Sequence, residues 1–530
     1  MNMSADTQGW VLPRMLQEQG RSRPDAVWLK TVDGDSLTFG AAADDARRIA
    51  GYLASLGINQ GEPVGLMMPN GVDIVRAWLG VTTLGAIAVM LNTELSGAFL
   101  QHQLQNCGAR LVIVDPSLLD AVLAVIGKIE TPVRIMTAEH SSRPAGADRE
   151  FVSWDDWRNA PPHAGPLPSG QDIACIMYTS GTSGPSKGVL MPHAHCTLYG
   201  VGQREAMQLT EKDVFYICVP LFHANGLLMQ LGASLQVGIP AVIRVRFSAS
   251  EWINDIRRHG CTVTNALGAL SAFVLAQPAR ETDRTHALRV ICNAPNLPPH
   301  DAEFRARFGI KDVISGFGMT EVNIPIWGRV GRSCPGAAGW VHEDHFEVIV
   351  ADPETDRKMP AGELGEILVR PKVPFGFMAG YHNMADRSVE AWRNLWFHTG
   401  DAAIMDADGL VTFVDRIKDC IRRRGENIAA TEVEAAIGDL AGIGEVAAYA
   451  VPSNIPGGED ELMLAIVPEP GATLDAIAIV KHADEVLPRF AAPRYIEFLS
   501  ELPKTATGKV QRATLRKRGV VHAWDREAKA

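Results

Sequence analysis

The chain has 530 residues, too many for one hydrophobic core, so two or more domains are expected. Its 46% hydrophobic and 21% charged residues match an ordinary folded protein and exclude a fibrous or disordered chain. With 50 Lys and Arg against 61 Asp and Glu the net charge is −11, the wrong sign for general nucleic-acid binding.

Residues 1–15 lack a basic stretch followed by an apolar run, so no signal peptide is expected. From Leu37 onward helix and strand patterns alternate. Ala46, Ile49, Ala50, Leu53 and Leu56 share one helix face, and Gly57 follows where a helix end favours a left-handed residue. Residues 63–68 read as an apolar strand, 72–84 as a helix and 86–91 as another strand; the rhythm returns at 111–114, 214–219 and 263–266. This βαβ alternation predicts parallel sheets with helices on both faces. Residues 214–243 hold no Asp, Glu, Lys or Arg over a length that could span a membrane. Pro220, His223, Asn225, Gly226, Gln230, Gly232, Gly238 and Pro240 interrupt the run, so a buried strand–loop–helix–strand is expected there, and no transmembrane segment.

The eight cysteines stand singly, without a CxxC pair or clustered His/Cys spacing. Neither a disulfide framework nor structural zinc is expected, and a reducing cytoplasm is. Near 406–409 the sequence DADG marks a hairpin turn. Beyond it, Thr431 and Glu434 have capping-box spacing at the start of a helix, and 446–451, 462–467 and 495–498 read as strands. A domain boundary is placed at about residue 417, giving domains 1–417 and 418–530. The fold class is α/β: a large body of parallel-rich sheets layered with helices, plus a small α+β C-terminal domain.

The chemistry concentrates in a few segments. Residues 178–189, YTSGTSGPSKGV, follow the apolar run 173–177. Their glycines allow close backbone approach, Thr179, Ser180, Thr182 and Ser183 add hydroxyl donors, and Lys187 adds a cation, which together suit a triphosphate. A Walker A loop fails because Ser186 precedes and Gly188 follows the lysine; a nucleophile elbow fails at Pro185. A plain Ser/Gly-rich surface loop is the remaining reading. The other segments are CNAPN at 292–296, SGFGMTE at 315–321, WFHTGD at 396–401, RIKDCIRRRGEN at 416–427 and LPKTATGK at 502–509.

In this order these motifs resemble the adenylate-forming superfamily, and within it bacterial acyl-CoA ligases of the crotonobetaine/carnitine-CoA ligase group. The likeness runs from about residue 35 to 517. It implies that Thr179, Ser180, Gly181, Thr182, Ser183 and Lys187 bind ATP phosphates. Asn293, Ala294, Pro295, Ser315, Gly316, Phe317, Gly318 and Met319 would cradle adenine, with Phe317 where the family usually has Tyr and Asn293 a departure from a Gly/Ala-rich turn. Thr320 would donate to the α-phosphate and Glu321 would hold Mg²⁺. Asp401 and Arg416 would contact the ribose, Asn427 would face the adenylate, and Lys509 would bridge the substrate carboxylate and the α-phosphate. Similar proteins rotate a mobile C-terminal domain about the position of Lys418 and bring Arg424 and Gly425 to coenzyme A, with Arg246 another basic position there. His223 matches an aromatic or histidine gate. Asn225, Gly226, Gln230, Leu267, Gly268, Val322, Asn323 and Ile324 would line a neutral acyl pocket.

The implied reaction is ATP-dependent ligation of a small-molecule carboxylic acid to CoA through acyl-AMP. A carboxylate is a poor acyl donor because its leaving group would be oxide; adenylation supplies AMP as a better one. Two alternatives remain: a stand-alone adenylating enzyme that loads a carrier protein, and a non-catalytic nucleotide-binding regulator. The resemblance leaves room for a homodimer.

Overall fold

The computed structural model describes residues 7–138, 150–179, 185–416, 421–424, 426–428, 430–455, 458–503 and 510–528. The helix Phe39–Ser55 starts on Thr38, whose side chain accepts from the Ala41 amide, and buries Ala46, Ile49, Ala50 and Leu53. Gly57 follows at φ +78°, as the sequence pattern required. The helix Val72–Leu84 ends the same way on Gly85.

Among the described residues the body holds three sheets. The first runs Gly380–Tyr381, Lys187–Pro192, Ile173–Thr179, Ile87–Met90, Pro63–Met67, Leu111–Val114, Arg134–Thr137 and Phe151–Ser153. Its central strands are parallel, while Lys187–Pro192 and Gly380–Tyr381 are antiparallel additions at one edge. The second contains Asp312–Ile314, Val290–Ala294, Val263–Leu267, Phe215–Ile217, Ala241–Ile243 and Val27–Thr31 in parallel, closed by Ser36–Thr38. One apolar core joins these two sheets through residues such as Trp28, Trp78, Leu66, Ile217 and Leu228.

The third sheet is antiparallel, built from Gly316–Met319, Asn323–Trp327, Gly339–Val341, Leu410–Arg416, Trp396–Met405, Leu364–Pro371 and Phe346–Ala351. The βαβ reading did not anticipate this sheet, because its strands lie in irregularly spaced hairpins. Its turn at 406–409 is as expected: the Asp408 and Leu410 amides donate to Asp406 Oδ1.

The 214–243 segment is a strand, loop, helix and strand, with Phe215–Ile217 and Ala241–Ile243 paired in parallel. Its first helical stretch, Asn225–Leu231, is a π-helix. No helix among the described residues is long and apolar enough to cross a membrane.

Downstream of 420, the hairpin of Ile421–Arg423 and Glu426–Ile428 precedes a sheet of Ile443–Val451, Glu461–Pro468, Tyr495–Phe498 and Trp524–Asp525. An apolar cluster continues from the body (Val89, Leu100, Val112) into this smaller unit (Ile421, Val433, Ile437). Of the expected capping box, the side chain of Thr431 lies outside the described residues. Glu434 lies inside the helix Ala430–Gly438, and its carboxylate accepts from the Ala448 amide (2.8 Å) and Arg512 (2.6 Å).

Candidate active site

Thr179 ends the strand Ile173–Thr179 and pairs in register with Lys187, so the donor-rich loop bridges two antiparallel strands. Gly188 is a packing glycine in that hairpin: a Cβ there would meet Ile176 at 3.0 Å and the Tyr178 ring at 3.2 Å. Ser180, Gly181, Thr182 and Ser183 lie outside the described residues. The Lys187 ammonium sits 4.2 Å from the centre of the Tyr381 ring. The Tyr381 hydroxyl donates to Glu321 Oε1 at 2.9 Å, and Thr179 Oγ1 reaches the same oxygen at 3.2 Å. Glu321 is only 3% exposed. Burial, reinforced by the Glu321 charge, pushes the Tyr381 phenol far up, so it stays a donor. One end of the donor-rich hairpin thus meets the Glu321 carboxylate directly, and the other lies over the ring of the phenol bonded to it.

Segment 315–324 is held from behind. Gly316–Met319 pairs antiparallel with Asn323–Trp327, and Gly318 is required because a Cβ would lie 2.2 Å from the Asn323 carbonyl. From the helix His193–Met207, His195 Nε2 lies 2.9 Å from the Thr320 carbonyl, and the Tyr199 hydroxyl donates to the Met319 carbonyl at 2.9 Å. The other His195 nitrogen meets the Gly376 carbonyl at 3.0 Å. Burial pulls this histidine below its usual range, so it stays neutral. Phe317 stacks on Phe413 with centroids 6.2 Å apart, linking the segment to the strand that carries Arg416.

Pairing of Cys292 with Ile314 sets the turn 293–296 beside Ser315 and Gly316 at the C-terminal ends of parallel strands, where open α/β sheets form ligand crevices. Ala294 pairs with Leu267. Asn293 is fully buried, and its Oδ1 accepts from Ser271 at 2.6 Å. Its amide therefore braces the helix Gly268–Leu275. Asp401, 2% exposed, stands opposite Arg416 in the antiparallel ladder. The side chains of Arg416 and Asn427, and all of Lys418, Gly425 and Lys509, lie outside what the structure describes.

The predicted acyl-pocket residues divide. Val322 is buried, while Ile324 and Leu267 are half-buried. Asn225 and Gln230 belong to a buried amide network: Gln230 and Asn265 both donate to Asn225 Oδ1 at 3.1 and 3.0 Å, and Gln203 donates to Asn265 at 2.9 Å. Asn323 departs from the expectation. At φ +66° its amide donates to the His195 carbonyl (2.9 Å) and accepts from the Ile324 amide, so it braces the turn rather than lining a pocket.

His223 meets the C-terminal unit. Its Nε2 is 2.9 Å from Glu426 Oε1, to which Asn92 also donates at 3.0 Å. Burial pulls the imidazole down, but the Glu426 carboxylate outweighs it and holds the ring above its usual range. A cavity of about 50 Å³ lies between Asn92, Phe222 and His223 of the body and Glu426, Glu432 and Phe490 of the smaller unit. The Ser186 amide, just past the phosphate loop, donates to Glu432 Oε1 at 2.5 Å, and burial pushes Glu432 up to about 7. Arg424, exposed at φ +56°, acts electrostatically on Glu94 together with Arg246 and Arg489. Its neighbour Arg423 is buried and bonded to Glu461 at 2.6 Å and to backbone carbonyls of 490 and 492, so the arginine run is not one solvated face.

Sequence reasoning missed Tyr381, His195, Tyr199, Asn92, Glu426 and Glu432. Each is a single side chain outside a spaced motif or used by a distant partner. Only the adjacent run PHAH at 192–195, following the second stem strand, offered a hint.

A family model for AMP-binding enzymes matches residues 16–382, and one for the AMP-binding enzyme C-terminal domain matches 432–509. A sulfoacetate–CoA ligase of Cupriavidus necator is 32% identical over 515 residues, covering 95% of this chain and 97% of its own. A medium/long-chain-fatty-acid–CoA ligase of Mycobacterium tuberculosis is 30% identical over 524 residues, covering 95% and 85%. An anthranilate CoA ligase in complex with anthranoyl-AMP superposes with a TM-score of 0.72 at 27% identity, over 97% of this chain and 99% of that one.

Proposed function

We infer that this chain, which belongs to the AMP-binding enzyme family, is an ATP-dependent acid–CoA ligase working through acyl-AMP. A substrate carboxylate oxygen attacks the α-phosphorus of ATP and pyrophosphate leaves. The CoA thiol then attacks the acyl carbonyl, loses its proton and expels AMP. The relatives named as CoA ligases favour free CoA over a carrier protein as the acceptor.

The observation that carries the site assignment is the convergence of Thr179 and Tyr381 on Glu321, with the Lys187 ammonium over the Tyr381 ring. We assign the phosphates to the loop 179–187, with Lys187 as the cation and the Thr320 hydroxyl toward the α-phosphate. Glu321 suits Mg²⁺: it is a hard oxygen donor held by two neutral hydroxyls at Oε1. When bound there, Mg²⁺ would neutralise charge on the phosphates. Asp401 and Arg416, opposed in register, suit the two ribose hydroxyls, and Phe317 with 293–295 suits adenine. Lys509 is assigned to the first step.

For the second step we assign His223 as the gate, Lys418 as the hinge within a boundary at 417/418, and Arg246, Arg424 and Gly425 as the CoA-facing set. The hairpin 421–428 resting on His223 supports an arrangement in which the smaller unit presents its CoA side. The acyl site is neutral, with Val322, Ile324 and Leu267 beside amides that satisfy one another. We therefore propose a monocarboxylic acid with an apolar or weakly polar chain, since a second buried carboxylate would lack a partner.

The test is acid-dependent exchange of pyrophosphate into ATP over aliphatic and aromatic acids, followed by mass detection of the CoA thioester. Failure of every acid with folded protein overturns the ligase assignment. A dicarboxylate preferred over its monocarboxylate analogue overturns the neutral pocket.

A further inference from the structure

On the side of helix His193–Met207 away from its first turn, three metal-ligating side chains meet. Glu205 comes from the last turn of that helix, and His342 and His345 from the turn between strands Gly339–Val341 and Phe346–Ala351. One donor atom from each lies within 4.8 Å of the other two. His342 is 2% exposed, and its Nε2 is 2.9 Å from Glu205 Oε2. The two imidazoles stand nearly perpendicular, with centroids 4.6 Å apart.

Both Nδ1 atoms are buried without a hydrogen-bond partner. Native proteins leave few such atoms unpaired, and an unpartnered buried nitrogen calls for a water or an ion.

We propose that Glu205, His342 and His345 form a binding site for a divalent transition-metal ion, of which zinc fits best. Two imidazoles and one carboxylate are a borderline-soft set that suits zinc and its neighbours, not magnesium. Tetrahedral zinc with ~2.1 Å bonds needs donors roughly 3.4 Å apart, so these groups need only a modest approach. The fourth position is open to water.

The surroundings are those of an oriented site. Arg204 Nη2 lies 3.3 Å from Glu205 Oε1, the oxygen that His342 does not use. Lys372 fixes the turn: its amide donates to the His345 carbonyl at 2.8 Å and its ammonium to the Glu343 carbonyl at 2.5 Å. An ion here would tie the end of the helix that braces Thr320 to the antiparallel sheet. Structural zinc was not expected from the sequence, because the cysteines stand singly; this set uses no cysteine, and Glu205 is 137 residues away from His342.

The test uses the full chain, stripped of metal and held in excess Mg²⁺ without nucleotide. Zn²⁺ alone is titrated calorimetrically, and Co²⁺ is followed by visible absorption. The expected result is one saturable equivalent, a tetrahedral-type cobalt band, and a melting temperature raised by zinc. His345→Ala and Glu205→Gln should each weaken zinc binding about 10- to 100-fold and abolish the thermal shift. If His342→Ala does not fold, those two milder variants decide. No saturable binding, or binding unchanged in both variants, overturns the proposal.

Discussion

The smallest groups with the largest assigned role are Glu321 and the phenol that holds it. Tyr381 donates to a buried carboxylate, and a hydrogen bond to a charged group contributes ~1.5–3 kcal/mol. Tyr381→Phe should therefore lower pyrophosphate exchange by roughly 10- to 100-fold with thioester formation from supplied acyl-AMP largely intact. Glu321→Gln should act through the metal: half-maximal exchange should require more Mg²⁺, because a neutral amide is a poorer ligand. A magnesium titration of both variants separates them; an unchanged magnesium requirement in Glu321→Gln removes that residue from the metal site. Glu321 was readable in the sequence from its motif. Tyr381 was not, because it stands alone and acts only once its strand pairs beside the phosphate-loop hairpin.

At the scale of elements, the helix His193–Met207 holds the segment 319–320 from behind. His195 spans the Gly376 and Thr320 carbonyls; neutral, it donates to one of them, so His195→Phe leaves one buried acceptor without its donor at about 1–3 kcal/mol. The melting temperature should fall and exchange with it, whereas His195→Gln, which can still donate, should recover part of both. Equal losses in the two variants would show that the ring's packing, not its hydrogen bonds, matters. The helices at 39–55 and 72–84 and the parallel strands were legible in the sequence, since 3.6-residue and apolar-run patterns are local. It did not show the antiparallel sheet, whose pairings join hairpins far apart in the chain. Nor did it show that Asn323 faces inward as a brace. An amide in a motif reads as a ligand contact until a buried partner claims it.

For the whole molecule, the contact between body and smaller unit carries two titratable groups of the same sense. Glu426 holds His223 above its usual range despite burial and the opposing Arg422, so docking gains from the protonated ring at low pH and loses this as pH rises through the raised value. Glu432 is pushed up to about 7, so its neutral form favours docking, and that advantage is lost between about 4.5 and 7. Docking should weaken as pH climbs from about 4.5 through neutrality, read as faster proteolysis around 417–430 at pH 8.5 than at pH 5. Glu432→Gln should flatten that profile. A rate independent of pH would exclude this coupling. The half-reactions should also separate. Lys509→Ala should cost adenylation ~10²- to 10³-fold and spare thioester formation, and Lys418→Pro should do the reverse by fixing φ at the hinge. Single-turnover kinetics of each step decide; equal loss of both steps in each variant excludes the alternating arrangement.

By itself the sequence carried the family membership, through contiguous segments: the hydroxyl- and glycine-rich run at 178–189, SGFGMTE and the order in which such segments occur. Short-range spacing survives any fold. It also determined the βαβ rhythm, because burial on both faces leaves apolar runs in the strands themselves. Tertiary structure alone decided which distant groups meet. Thr179 reaches Glu321 across 142 positions, His223 reaches Glu426 across 203, and Glu205 reaches His342 across 137. Such pairs depend on strand order and on how one unit rests upon another, and no local propensity records either.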